Sequence, residues 1–117
     1  MKYMLMIYED DAERVANMDE RMPTSAAYAQ AMAKAGIYVA GERLRAMSTA
    51  TTVRVADGKT HVVDGPYAEA KEQLGGFHII DVPDLDTALA WAARCPSASR
   101  GAVEVRPIWP TEPIQQA

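Results

Sequence analysis

Residues Tyr3 to Tyr8 form two interleaved sets, Tyr3, Leu5 and Ile7 against Met4, Met6 and Tyr8, and both sets are largely apolar. Side chains alternate across a strand, so this segment presents hydrophobic groups to both faces of whatever sheet it joins. Both faces then need cover. The run ends quickly at Glu9, Asp10 and Asp11, too short and too soon acidic for a secretory signal. No apolar stretch in the chain approaches the length that spans a bilayer.

The rest of the chain supplies cover for one face. After an acidic loop, Pro23-Thr24-Ser25 leads into Ala26 to Ala35, where Tyr28, Met32 and Ala35 recur at helical spacing and Gly36 marks the stop. Ile37 to Leu44 returns as a strand. Asp57-Gly58 sits between Thr51–Ala56 and Lys59–Val63, a dipeptide that accepts the positive φ angles of a two-residue hairpin turn. Asp64-Gly65-Pro66-Tyr67 turns again, Ala68 to Gln73 reads as a short helical piece, and Phe77 to Val82 as a strand. Asp84 is placed to cap a helix from Leu85 to Arg94, which Pro96 forbids from continuing. Ala102 to Ile108 is the last strand.

With the hairpin set aside, the order is β-α-β-β-α-β, an α+β pattern of ferredoxin-like type. Two helices cover one face of a four-stranded sheet. The alternation assigns Leu5, Ile7, Ile37, Val39, Phe77, Ile79, Val103 and Val105 to the helix side. It leaves Met4, Met6, Tyr8, Tyr38, Glu42, His78, Ile80, Glu104 and Arg106 on the open side. That face is too apolar to stand in water, and a second copy of the chain is its simplest cover.

At 117 residues, with 49% hydrophobic and 24% charged residues, the chain reads as one globular domain, 1–117, with 109–117 as a tail. A net charge of −4 and a pI near 5.1 give no basic footprint for nucleic acid. The single cysteine, Cys95, has no partner for an intramolecular disulfide, and a reducing cytoplasmic setting is expected. Neither a cofactor nor a metal is expected, since His61, His78 and Cys95 fall on separate elements without ligand spacing.

The stretch Asp64-Gly65-Pro66-Tyr67-Ala68-Glu69-Ala70-Lys71-Glu72-Gln73-Leu74-Gly75-Gly76-Phe77 resembles the signature of the DGPF branch of the YCII-related family. Gly41-Glu42-Arg43-Leu44, Asp81 to Asp86, Ala92 to Pro96 and Gly101 to Pro107 extend the likeness over most of the chain. The resemblance implies a dimeric α/β barrel. Many members pair a histidine near the start of the first helix with an aspartate, which points to enzymatic chemistry. Here Pro23 to Tyr28 holds no histidine and Ser25 stands at roughly that position, so the dyad is not carried over. Domains of this branch also occur fused to sigma factors, which implies a link to transcription initiation.

The candidate catalytic residues are His78, Glu42 and Asp64. His78 and Glu42, on neighbouring strands, would form a proton acceptor and its orienting carboxylate, or else a packing histidine. Asp64 would either shape its turn or project into a cleft mouth. Arg106 and Glu104, two apart on one strand, would bind a small ligand's anionic group or pair across a dimer. Tyr8 and Tyr38 would add hydroxyls to a pocket, or pack. Two functions follow: a small-molecule enzyme or binding protein with its pocket between the open sheet face and the hairpin, or an accessory module that binds a sigma factor. Gly75-Gly76 precedes a strand, and a bulge or close backbone approach accounts for it.

Overall fold

The computed structural model describes residues 1–111; the tail expected at 109–117 lies outside the described residues from position 112 onward. Six strands and three helices follow one another as β1 (Lys2–Asp10), α1 (Asp11–Ala16), α2 (Met18–Lys34), β2 (Tyr38–Arg43), β3 (Thr51–Ala56), β4 (Lys59–Asp64), β5 (Glu72–Asp81), α3 (Leu85–Arg94) and β6 (Ala102–Pro107). Strands β2-β5-β1-β6 form one antiparallel sheet, and β3-β4 a separate ribbon. This α+β arrangement is consistent with a ferredoxin-like fold carrying an inserted hairpin.

Local chemistry explains the elements that the sequence places well. The Asp84 carboxylate accepts from the Thr87 amide at 2.8 Å and from the Thr87 hydroxyl at 2.7 Å, starting α3. Asp57 and Gly58 take φ of 52° and 72°, the positive pair required by the hairpin turn. Gly36 takes φ of 76° just past α2, where a Cβ would be strained.

The acidic loop expected after the first strand is instead helical. Asp10 caps α1 through the Glu13 amide at 3.0 Å, and α2 begins at Met18, eight residues before the expected start, with Pro23 inside it. What holds this polar segment is tertiary pairing. Arg21 meets Glu9 at 2.7 Å with both side chains largely buried, Arg14 donates to the carbonyls of Leu44 and Arg45, and the Asp11 carboxylate accepts from the Met47 amide. The expected helical piece at Ala68 to Gln73 is irregular chain leading into a longer β5. Gln73 donates its side-chain amide to the carbonyls of Ala68 and Ala70, so backbone groups there are satisfied without a helix.

The core lies between the sheet and the helices: Tyr3, Leu5, Ile80 and Val82 from the strands, Tyr28 and Met32 from α2, Ala88 and Ala92 from α3, and Cys95. Burial pushes the Cys95 thiol up from its ordinary range. The phase of β5 corrects the expectation. Leu5 faces His78 and Tyr3 faces Ile80, whereas Met4 faces Ile79 and Met6 faces Phe77. Cross-strand partners share a face, so His78 and Ile80 lie on the helix side and Phe77 and Ile79 on the open side. Tyr38 also changes face. It pairs with Ile80, and Val39 is an extra residue before Ala40 pairs with Ile79; this bulge resets the alternation and leaves Val39 43% exposed.

Candidate functional site

The reversal of β5 moves the chemistry to the helix side. A cavity of about 290 Å³ opens between α1, α2 and the β1-β5-β2 part of the sheet. Ile7, Tyr38, Gly41, His78, Arg14 and Ser25 contribute to its wall, with Arg43 and Arg100 also lining it.

Glycines make room for it. A Cβ on Gly41 would sit 2.6 Å from His78 Nδ1 and 2.9 Å from the Tyr38 hydroxyl, so the bare backbone lets both groups settle over β2. Gly75 is the extra residue where β1 and β5 shift register, between the Ile7–Gly76 and Tyr8–Leu74 pairs. Arg14 lies against it: a Cβ there would be 2.6 Å from Arg14 Nε. A Cβ on Gly76 would be 2.7 Å from the Glu42 carbonyl oxygen. The double glycine is thus both a bulge and a close approach.

The His78 ring is packed edge-on to Tyr28 at 5.6 Å and to Tyr38 at 6.3 Å. Burial, reinforced by the Arg43 charge, lowers its pKa below the usual 6.5, which keeps the imidazole neutral at pH 7. The Tyr28 hydroxyl is committed to the Trp91 carbonyl at 2.6 Å, and burial pushes that phenol well above its ordinary value. Arg14 is fixed by donating to the carbonyls of Leu44 (3.0 Å) and Arg45 (3.3 Å) and to Asp11 (3.4 Å). Glu9 is occupied by Arg21 and by the Ser97 hydroxyl at 2.9 Å. Two buried nitrogens of this site, Arg14 Nε and His78 Nδ1, have no hydrogen-bond partner among the described residues.

The residues singled out in the sequence divide among several places. His78 and Tyr38 come together at the cavity. Glu42 lines it, yet it pairs with Phe77 and so turns its side chain to the opposite face, away from His78. The proposed His78–Glu42 pairing is therefore not formed. Glu104 and Arg106 pair with Met6 and Met4 on the open face. Asp64 ends β4 opposite Thr51, outside the cavity, where the turn is held by Gly65 N–H to the Ala50 carbonyl and Thr52 Oγ1 to the Gly65 carbonyl, both at 2.8 Å. Tyr8 instead borders a wider groove of about 810 Å³ between Leu74, the hairpin and Tyr67. That groove corresponds to the pocket expected between the open face and the hairpin, but it gathers none of His78, Asp64, Glu42 or Arg106.

Sequence reasoning missed the arginines. Arg14, Arg21, Arg43 and Arg100 come from four separate parts of the chain, and no spacing in the sequence joins them. Ser25, where the resemblance would place a histidine, does line this cavity.

Fold and site together define a small α+β domain with a partly enclosed, arginine-rich cavity on the helix side of its sheet. Comparison with known proteins gives the family: residues 1–112 match the YCII-related domain, and the chain belongs to that family. It is 40% identical over 114 residues to an uncharacterized protein of Rhizobium meliloti (strain 1021), covering 92% of each chain. Among the described residues no helix is long and apolar enough to cross a membrane.

Proposed function

We propose that this protein acts on a small molecule in the helix-side cavity, as an acid–base enzyme or as a binding protein, with His78 as proton acceptor. The observation that carries the reading is His78 itself. Its Nδ1 is buried and unpartnered at the wall of a cavity, and a neutral imidazole keeps one ring nitrogen available to accept a proton. The Tyr38 hydroxyl, held over the same glycine, is placed to orient a polar group of the ligand.

A metabolite screen read by turnover and by thermal shift tests this. For a turned-over compound, His78→Gln should lower kcat by about a hundredfold or more with the fold intact, and for a compound only bound it should remove the thermal shift. Asp64→Ala, outside the cavity, should leave both unchanged. Full retention of turnover and binding in His78→Gln would end the proposal.

The same domain is read as a homodimer joined through its open sheet face. Phe77 and Ile79 join Met4 and Met6 there, which makes the strip more apolar than the alternation of the sequence suggested, because His78 has left it. Burying such side chains contributes about 1.5–3 kcal/mol each before ordering costs. Sedimentation at micromolar concentration should report a dimer, and Met6→Asp should dissociate it by placing an unpaired charge in the interface. A wild-type monomer under those conditions would be incompatible with this assembly.

A further inference from the structure

We infer that the ligand of the helix-side cavity carries an oxyanion, a carboxylate or a phosphate, received by Arg43 and Arg100 with the buried Arg14 beside them; this rests on the cavity being the ligand site.

The charge balance points this way. The chain as a whole is acidic, at −4, yet four of its twelve Lys and Arg residues line this one cavity. Their partners account for only two of them. Arg21 is matched by Glu9 and Glu13, and Arg14 by Asp11. Among the described residues no carboxylate lies within ion-pair distance of Arg43 or Arg100. The nearest candidate on the same strand, Glu42, presents its side chain to the other face of the sheet, and Glu9 is already committed to Arg21 and Ser97.

Unpaired surface arginines are common, and by themselves they would mean little. The second observation is Arg14. Its side chain is 5% exposed, it lines the cavity, and its Nε–H has no acceptor among the described residues. Buried donors in folded proteins find acceptors, and this site offers donors in excess: guanidinium N–H groups and hydroxyls of Ser25 and Tyr38. An oxyanion is acceptor-only and fits a planar guanidinium in a fork of two bonds. A partly enclosed wall concentrates the field of the two unpaired charges on such a group. The cavity lies at the lower end of the ligand-pocket range of about 300–1,000 Å³, so the ligand is small.

Titrations followed by amide NMR at fixed ionic strength test the inference, with malonate, inorganic phosphate and the neutral malonamide as probes. Malonate, phosphate or both should shift the Gly41, Gly75 and Gly76 signals saturably, and whichever binds identifies the oxyanion. The exposed positions allow a folded Arg43→Met/Arg100→Met variant, in which that affinity should fall about tenfold or more. Malonamide saturating the same signals as tightly as the anions, or an affinity unchanged in the double variant, would overturn the oxyanion while leaving the cavity a ligand site. No shift at these glycines with any probe would overturn both.

Discussion

On the helix side of the main sheet, Leu5, Met32 and Ile80 are completely buried, and the polar groups among them are nearly all paired. On the other side Met4, Met6, Phe77 and Ile79 are only partly covered, and the charges of Glu104 and Arg106 stand at their margin. One pair of adjacent residues, Ile79 and Ile80, straddles the two environments. The comparison teaches that apolar content does not reveal which face is the core. The helices decide it, and the face that they cover also gains the cavity, because α1 and α2 bring charged residues over the end of the sheet where glycines leave room.

Truncating each isoleucine in turn should separate the two faces most strongly. Ile80→Ala should cost about 2–5 kcal/mol in urea unfolding, the usual range for a fully buried aliphatic side chain. Ile79→Ala should cost less than half as much when measured on the monomer. Equal losses would mean that the strand's phase is wrong, and with it the location of His78.

A smaller effect is expected at Gly41. An alanine Cβ there would press on His78 Nδ1, the Tyr38 hydroxyl and the Phe77 carbonyl at 2.6–3.0 Å. The two side chains would have to move, at a cost of about 1–3 kcal/mol. Any ligand binding in the cavity should fall further than stability does. If Gly41→Ala binds as the wild type does, the positioning of His78 is unimportant to the site.

The smallest effect expected is the pH dependence that His78 confers. His78 titrates below 6.5 in the folded protein because of burial and then Arg43. Below pH 6.5 the unfolded chain therefore binds the proton more readily than the folded one. The stability contributed by neutral His78 is full above pH 6.5 and is lost as pH falls from there through the folded-state pKa. Chemical denaturation across pH 7.5 to 4.5 should show this fall in the wild type and a shallower one in His78→Gln. Identical slopes would indicate an imidazole that is not desolvated.

Much of the fold is legible in the residues. The bounds of α3 follow from Asp84 and Pro96, the hairpin from Asp57-Gly58, and the succession of the strands along the chain from their apolar runs, because these signals act through a few adjacent residues. The family signature around Asp64 to Phe77 is legible for the same reason. Helix α1 and the first turns of α2 are not. Their sequence is charged and lacks an apolar period, and what steadies them, Arg21 on Glu9 and Arg14 on the carbonyls of Leu44 and Arg45, is contact between segments.

The residues alone specified α3, the hairpin, the succession of strands along the chain and the apolar character of both faces of β1. Tertiary structure alone decided which face of β5 is inside. Phe77-His78-Ile79-Ile80 satisfies either phase, and the choice rests on its register with β1, which sets His78 beside Leu5 and Ile80 beside Tyr3, while the bulge at Val39 turns Tyr38 to the same side. It alone also assembled the site. Arg14, Arg43, His78 and Arg100 lie on separate elements, so their meeting depends on helix packing and sheet register, which no local pattern records.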